Sequence, residues 1–179
     1  MVKIWKEKEV SHICSGVIFN YYKKVRTSPD GKKKGTFDVI ECYPWVNVLA
    51  FNEKNELILV EQYRHGVDNI TLEIPGGAVD KGEKSLDAAK RELLEETGYT
   101  SSEWVSLGEV QANPAFMTNT CATFLALNCK KTGTQNLDPM EDIEVKLLSL
   151  ENFEQKIKTK EIAHSLVVSA YALYRLWKD

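Results

Sequence analysis

The chain has 179 residues, of which 43% are hydrophobic and 27% charged, and its formal net charge is −3. That length suits one domain with a substantial core, and the acidic balance argues against a nucleic-acid partner, which calls for a basic excess. A nucleotide substrate stays open, because divalent cations can stand between an acidic protein and a polyphosphate.

From about His12 to Tyr43 the sequence reads as two strands around the turn Ser28-Pro29-Asp30-Gly31, followed by a lysine-rich tip. Proline presets φ there and glycine takes positive φ. Strands are expected at Val46–Phe51 and Glu56–Tyr63, joined as a hairpin by Asn52-Glu53-Lys54-Asn55, with a short strand at Ile70–Glu73. The loop Pro75-Gly76-Gly77 then leads to a helix over Leu86–Thr97. Ser85 is its expected N-cap, Asp87 suits the positive first turn, and Gly98 fits the left-handed position past the end. Further strands are expected near Trp104–Gln111, Cys121–Leu127 and Ile143–Leu148. Ala163–Trp177 repeats apolar residues at helical spacing (Leu166, Ala170, Leu173, Tyr174, Trp177) and reads as a packed terminal helix. Strands mixed with a few helices imply a layered α/β or α+β domain.

No apolar run approaches the roughly 18–20 residues that span a bilayer, and Met1–Glu7 lacks the apolar block of a signal peptide. No membrane partner is expected. Cys14, Cys42, Cys121 and Cys129 form no CxxC pair, and His12, His65 and His164 lie far apart. Neither a zinc site nor a disulfide scaffold is expected, and a reduced, cytoplasmic setting is.

The helix Leu86–Thr97 carries the chemistry. At 100° per residue, Leu86, Ala89, Leu93 and Thr97 share a core-facing side, while Glu92, Glu95 and Glu96 fall on an adjoining arc of roughly 100°. Ala88 lies in the same arc and is expected to leave open space beside the carboxylates. The Glu92–Glu96 pair, at i and i+4, costs the helix about 0.2–0.5 kcal/mol unless a cation joins the two. Three glutamates alone would read as a solvated face. Their setting says otherwise: Gly76 and Gly77 let backbone approach a ligand, and Arg91 can hold a carboxylate bidentately and fix its direction.

These residues resemble the Nudix box, G-x5-E-x7-R-E-U-x-E-E-x-G-U, with U a bulky apolar residue. Gly77, Glu83, Arg91, Glu92, Leu93, Glu95, Glu96, Gly98 and Tyr99 stand at the required positions, and Tyr99 is an aromatic where an aliphatic is commoner. At ordinary abundances the fixed residues would coincide by chance on the order of once in 10^8 starts. The resemblance implies an α/β/α sandwich with a mixed sheet, a loop–helix–loop catalytic motif, and an N-terminal antiparallel hairpin. It implies Mg²⁺, or Mn²⁺, on Glu92 and Glu96, with Glu95 and the Gly76 carbonyl as further ligands. Glu95 could equally orient the water, and Arg91 and Glu83 would brace the glutamates. Oxygen ligands suit such hard cations, and no serine or cysteine nucleophile setting is evident.

A second likeness concerns Leu59-Val60-Glu61-Gln62-Tyr63-Arg64, Leu72-Glu73-Ile74-Pro75-Gly76-Gly77 and Pro114, which are similar to the ADP-ribose pyrophosphatase branch of that family. It implies hydrolysis of the pyrophosphate of a nucleoside diphosphate sugar such as ADP-ribose. Arg64 is the expected phosphate contact. Glu73 would serve a ribose hydroxyl or a metal-bound water, or an internal ion pair, and Trp45 would stack on a base or pack in the core. Members of the branch often carry an acidic catalytic base after the proline. Pro114–Thr120 contains no acid here, so Glu141 or a box glutamate is expected to serve as base. The likeness further implies a homodimer built through residues 1–43, with the hydrolase domain over 44–179. The alternatives are another Nudix substrate class (nucleoside triphosphate, dinucleoside polyphosphate or coenzyme A), a nucleotide-sensing module, and an isopentenyl diphosphate isomerase-like enzyme. The last would need a cysteine beside the box, which is absent.

Overall fold

A computed structural model describes residues 1–179. Its first strands, Lys6–Ser15 (β1), Phe19–Thr27 (β2) and Lys34–Cys42 (β3), form an antiparallel sheet in the order β1-β2-β3. The β2–β3 hairpin turns at Ser28–Gly31 as expected. Gly31 has φ 75°, its N–H donates to the Ser28 carbonyl at 2.9 Å, and Ser28 Oγ donates to Asp30 at 2.6 Å. β1 adds a strand to the two read from the sequence. Its register against β2 slips between Glu7 and Glu9 and between His12 and Cys14, so it lacks the clean alternation that would announce a strand.

Met1–Pro44 and Gln111–Thr120 make one compact unit, and Trp45–Val110 with Cys121–Asp179 make the other. Within the first, residues 116–118 run beside β3: the Ile40 N–H donates to the Phe116 carbonyl and the Thr118 N–H to the Ile40 carbonyl. Ser28 is its one buried residue.

The remaining elements are Trp45–Asn52 (β4), Glu56–Arg64 (β5), Asn69–Glu73 (β6), Gly76–Ala78 (β7), Ser85–Thr97 (α1), Tyr99–Thr100 (β8), Glu103–Gln111 (β9), Thr120–Lys131 (β10), Ile143–Ser149 (β11), Leu150–Lys158 (α2) and Ser165–Lys178 (α3). The sheet runs β11-β5-β4-β10-β8, with β6 on β5, β7 on β4 and β9 on β10. β4 and β10 are parallel and β4 pairs antiparallel with β5, so the sheet is mixed. Side chains alternate faces along a strand, and here both faces are apolar. Val46, Val48, Ala50, Ile58, Phe124 and Ala126 join Ala88, Ala89 and Leu93 of α1 in one buried cluster. Leu49, Phe51, Leu57, Leu59 and Leu125 join Phe153 of α2 and Val167, Ala170 and Tyr174 of α3 in another. A sheet covered on both faces gives the near-continuous apolar runs seen in β4 and β5, and the α/β/α sandwich is as expected. Truncating a side chain such as Leu93, fully buried under the sheet, would cost about 2–5 kcal/mol.

Three local expectations need correction. Ser85 does not cap α1. The N-cap is Lys84, which has extended backbone and makes no side-chain cap bond. The preceding turn is instead closed by Glu83, whose N–H donates to the Asp80 carbonyl and whose carboxylate accepts from the Asp80 N–H, both at 3.0 Å. Ala88 leaves no open space, because it is fully buried in the cluster with Leu93. The helix α2, absent from the sequence reading, packs Leu150, Phe153 and Ile157 inward and is capped by Ser149 Oγ, which accepts from the Asn152 N–H at 3.2 Å. Gly98, by contrast, ends α1 as expected, with φ 73° and its N–H bonded to the Leu94 carbonyl at 2.8 Å. All four cysteines are unpaired, and burial pushes the Cys121 and Cys129 thiols up to about 12. No helix is long and apolar enough to cross a membrane.

Candidate active site

The site begins with two glycines on a three-residue strand. β7 pairs with β4 so that Gly77 lies opposite Val46 and Gly76 opposite Asn47. A Cβ on Gly76 would overlap the Val46 carbonyl, and one on Gly77 would overlap the Glu92 carboxylate. Only glycine lets the strand lie this close to β4 and the helix glutamate this close to the strand.

Glu96 is 4% exposed, and its carboxylate accepts from the Gly76 N–H at 2.9 Å. Burial, opposed by that N–H and reinforced by the charges of Glu92 and Glu141, pushes its pKa up to about 8. Burial raises Glu92 as well, working against the Arg91 guanidinium beside it. Arg91 holds the neighbourhood together. Its Nε and Nη2 each donate to Glu83 at 3.0 Å, Nη2 also to the Ala78 carbonyl at 3.0 Å, and Nη1 to Glu92 at 2.8 Å and Glu95 at 3.0 Å. The bidentate bond from Arg91 holds the Glu83 carboxyl below its ordinary range, and the same bond raises the arginine further. Three carboxylates therefore surround one guanidinium, with the buried Glu96 adding a fourth beside them, an arrangement with unbalanced negative charge partly out of water.

That imbalance fits a divalent cation. The geometry is not a ready-made cage, since no three acidic, histidine or cysteine side chains converge on one point. Glu92 and Glu95 turn to Arg91, and Glu96 turns to the Gly76 N–H.

Glu141 sits on an exposed turn of the segment between β10 and β11, where its carboxylate accepts from the Asp138 N–H at 3.1 Å. Its charge nevertheless bears on Glu92, Glu96 and Arg64, so it faces the same region. The segment is fastened to the end of α1. Gln135 Nε2 donates to the Glu96 carbonyl at 2.7 Å and the Ile143 carbonyl at 3.0 Å, the Asn136 N–H donates to the Glu95 carbonyl at 2.9 Å, and the Thr132 and Gly133 N–H groups donate to Gly98. These bonds satisfy carbonyls that a helix end leaves orphaned.

Arg64 and Glu73, on neighbouring strands β5 and β6, pair with each other. Arg64 Nε and Nη2 donate to the two Glu73 oxygens, both at 2.8 Å, and Thr71 Oγ1 donates to Glu73 Oε1 at 2.7 Å. Nδ1 of His164 lies 3.1 Å from Glu73 Oε2, a close polar contact without the alignment of a hydrogen bond. Burial works to raise the Glu73 carboxyl, yet the Arg64 bonds, with the His164 contact, outweigh it and hold the group well below the carboxylate range. Of the two expectations for Glu73, the structure has the internal ion pair. Trp45, half-buried at the start of β4, pairs with Ala78 of β7, whose carbonyl accepts from Arg91.

The structure thus groups Gly76, Glu83, Arg91, Glu92, Glu95 and Glu96 tightly, sets Arg64 and Glu141 within electrostatic reach, and joins Glu73 to Arg64. Gln135 and His164 escaped the sequence reading as site residues. Their partners are remote in sequence, and no local pattern marks them.

Residues 44–169 match the model of the NUDIX domain family. The chain is 29% identical over 178 residues to the ADP-ribose pyrophosphatase of Bacillus subtilis (strain 168), covering 98% of this chain and 95% of that protein. It is 30% identical over 179 residues to the methanol dehydrogenase activator of Bacillus methanolicus, covering 98% and 96%. A crystal structure of an ADP compounds hydrolase superposes with a TM-score of 0.86 at 19% identity, over 99% of this chain and 95% of that one, a likeness of fold. With the family matched over most of its length and the box residues gathered around Arg91, the chain belongs to the Nudix family.

Proposed function

We propose that the protein hydrolyses the pyrophosphate bond of a nucleoside diphosphate sugar such as ADP-ribose, giving a nucleoside monophosphate and a sugar phosphate. The observation that carries this reading is the group of glutamates around Arg91, with Glu96 buried against Gly76. Similarity along almost the whole chain to a protein named ADP-ribose pyrophosphatase supports the substrate class. Nudix hydrolases need divalent metal ions, and we infer Mg²⁺, with Mn²⁺ as a substitute, held by Glu92, Glu96, Glu95 and the Gly76 carbonyl. When bound, such ions neutralise the diphosphate and lower the pKa of a coordinated water.

The chain's own residues do the rest. Arg91 fixes the direction of Glu92 and Glu95, and Glu83 fixes Arg91. Arg64 keeps its second amino group for a substrate phosphate, because Glu73 accepts only from Nε and Nη2. Glu141 takes the proton of the attacking water as its oxygen adds to phosphorus and the bond to the bridging oxygen breaks. The exposed turn that carries Glu141 lets it approach the substrate after binding. Trp45 stacks on the base. The test is a substrate panel with Mg²⁺ and Mn²⁺: release of nucleoside monophosphate from ADP-ribose and sugar nucleotides supports the proposal, and preferential release of pyrophosphate from nucleoside triphosphates overturns it. A second reading, an auxiliary of an alcohol-oxidising enzyme, is favoured by the comparable likeness to the methanol dehydrogenase activator. It predicts stimulation of such a dehydrogenase in mixed assays.

We also infer a cytoplasmic homodimer built through residues 1–43, with the hydrolase domain spanning 44–179. The three-stranded sheet exposes Val10, Ile13, Phe19 and Phe37 and buries no apolar residue within one chain. A sheet of this size needs an apolar face covered to be stable. Light scattering on the full chain tests the assembly, and a monomeric mass at micromolar concentration rejects it.

A further inference from the structure

Glu73 is a buried carboxylate whose bonding is nearly complete. An ionised carboxylate offers about four acceptor sites. Arg64 Nε and Thr71 Oγ1 occupy Oε1, and Arg64 Nη2 occupies one site of Oε2. The fourth site faces His164, whose Nδ1 lies 3.1 Å from Oε2, is buried, and has no hydrogen-bond partner. A small turn of the ring, with the proton on Nδ1, completes the set. The imidazole has no other duty. His164 stands at the N-cap of α3 yet makes no side-chain cap bond. The start of that helix is instead fastened to β4 by Asn47 Nδ2, which donates to the Leu166 carbonyl at 3.2 Å.

Arg64 is fixed in turn by Glu73. With Nε and Nη2 both engaged, the direction of Nη1 follows from the orientation of the Glu73 carboxylate, as a planar fork cannot turn one nitrogen without the others. Arg64 also feels the charges of Glu96 and Glu141, so the guanidinium lies within electrostatic reach of the acidic group.

We propose that His164 is a positioning residue for substrate binding: it orients Glu73, and through Glu73 it aims the guanidinium of Arg64 at the substrate diphosphate. This rests on the reading of Arg64 as a phosphate contact. It adds a specific role for α3, which contributes no residue to the Nudix box.

The experiment compares wild type, Arg64→Ala, His164→Ala, His164→Asn and the Arg64→Ala/His164→Ala double variant, using ADP-ribose with Mg²⁺. The His164 side chain is about one-third exposed, at 36%, so its removal opens no core cavity. His164→Ala is expected to raise KM about tenfold, the scale of one hydrogen bond to a charged group, with kcat within about twofold. His164→Asn, whose Nδ2 can occupy the place of Nδ1, restores most of the loss. The double variant matches Arg64→Ala alone, because both changes act through one contact. Separately, without substrate, the ¹⁵N resonance of Arg64 Nε is expected to shift and its proton to exchange faster in His164→Ala. A raised KM in Arg64→Ala with a normal one in His164→Ala, or additive effects in the double variant, overturns the role of His164 alone. A normal KM in Arg64→Ala removes the phosphate contact, and the role of His164 in binding with it. An unchanged Nε signal overturns the positioning link whatever the substrate.

Discussion

Two sets of acids face the same region and are held in opposite ways. Glu92, Glu95 and Glu96 ride a rigid helix, and their directions are fixed by Arg91 and by the Gly76 N–H. Glu141 rides an exposed turn and bonds only to its own neighbour Asp138. On the roles proposed above, the difference divides the labour of a hydrolytic site. Groups that hold charge in place sit on helices and are ordered before any ligand arrives, whereas a group that moves a proton sits where the backbone can adjust.

The largest expected effect tests the fixed half. Glu92→Gln and Glu96→Gln should each lower kcat by about 10³-fold or more while circular dichroism stays native, and both should lose the rise in Tm that Mg²⁺ is expected to give wild type. Near-normal turnover in both would show that the cations are held elsewhere. The mobile half comes next. Glu141→Gln should lower kcat by about 10²-fold with the Mg²⁺-induced rise in Tm preserved, and this split between rate and metal binding is what separates the two sets of acids. If both readouts fall together, Glu141 belongs with the helix glutamates.

A smaller effect is expected where the two halves join. Gln135→Ala removes the bridge from the Glu96 carbonyl to the Ile143 carbonyl. It should lower kcat by roughly threefold to tenfold and speed hydrogen exchange across residues 135–142; unchanged exchange would show that the clasp does not order the turn. The smallest effect is one of stability with pH. The folded Glu73 carboxyl lies below its ordinary value of 4.5, so its contribution is present above that pH and is lost as the pH falls towards the folded value. The melting temperature of Glu73→Gln should therefore lie below wild type at pH 7, with the gap narrowing below about pH 4. A constant gap would mean that the ion pair contributes no linkage.

The sequence made the helix α1 and its acidic cluster legible because the box is local: spacing alone sets Glu83, Arg91, Glu92, Glu95 and Glu96 in register along one turn-and-helix. The strands of the central sheet were also readable, since β4 and β5 are apolar runs bounded by a turn of Asn and charged residues. What escaped was either short or non-local. β7 and β8 have three and two residues, below any period. β1 slips register, and α2 is a nine-residue helix following directly on a strand. Its Ser149 cap and the spacing of Leu150, Phe153 and Ile157 could have revealed it. An internal ion pair for Glu73 was foreseen only as one option and without a partner, because its partner Arg64 sits on the neighbouring strand β5 and the pairing of β5 with β6 is not marked by any local pattern.

The N-terminal sheet, in which no apolar side chain is buried within one protomer, has a thermodynamic consequence. If a second copy supplies its cover, the order of β1 to β3 becomes a function of protein concentration, governed by mass action. Dilution below the dissociation constant would loosen these strands first, while the α/β/α layers, with their own two buried clusters, would persist.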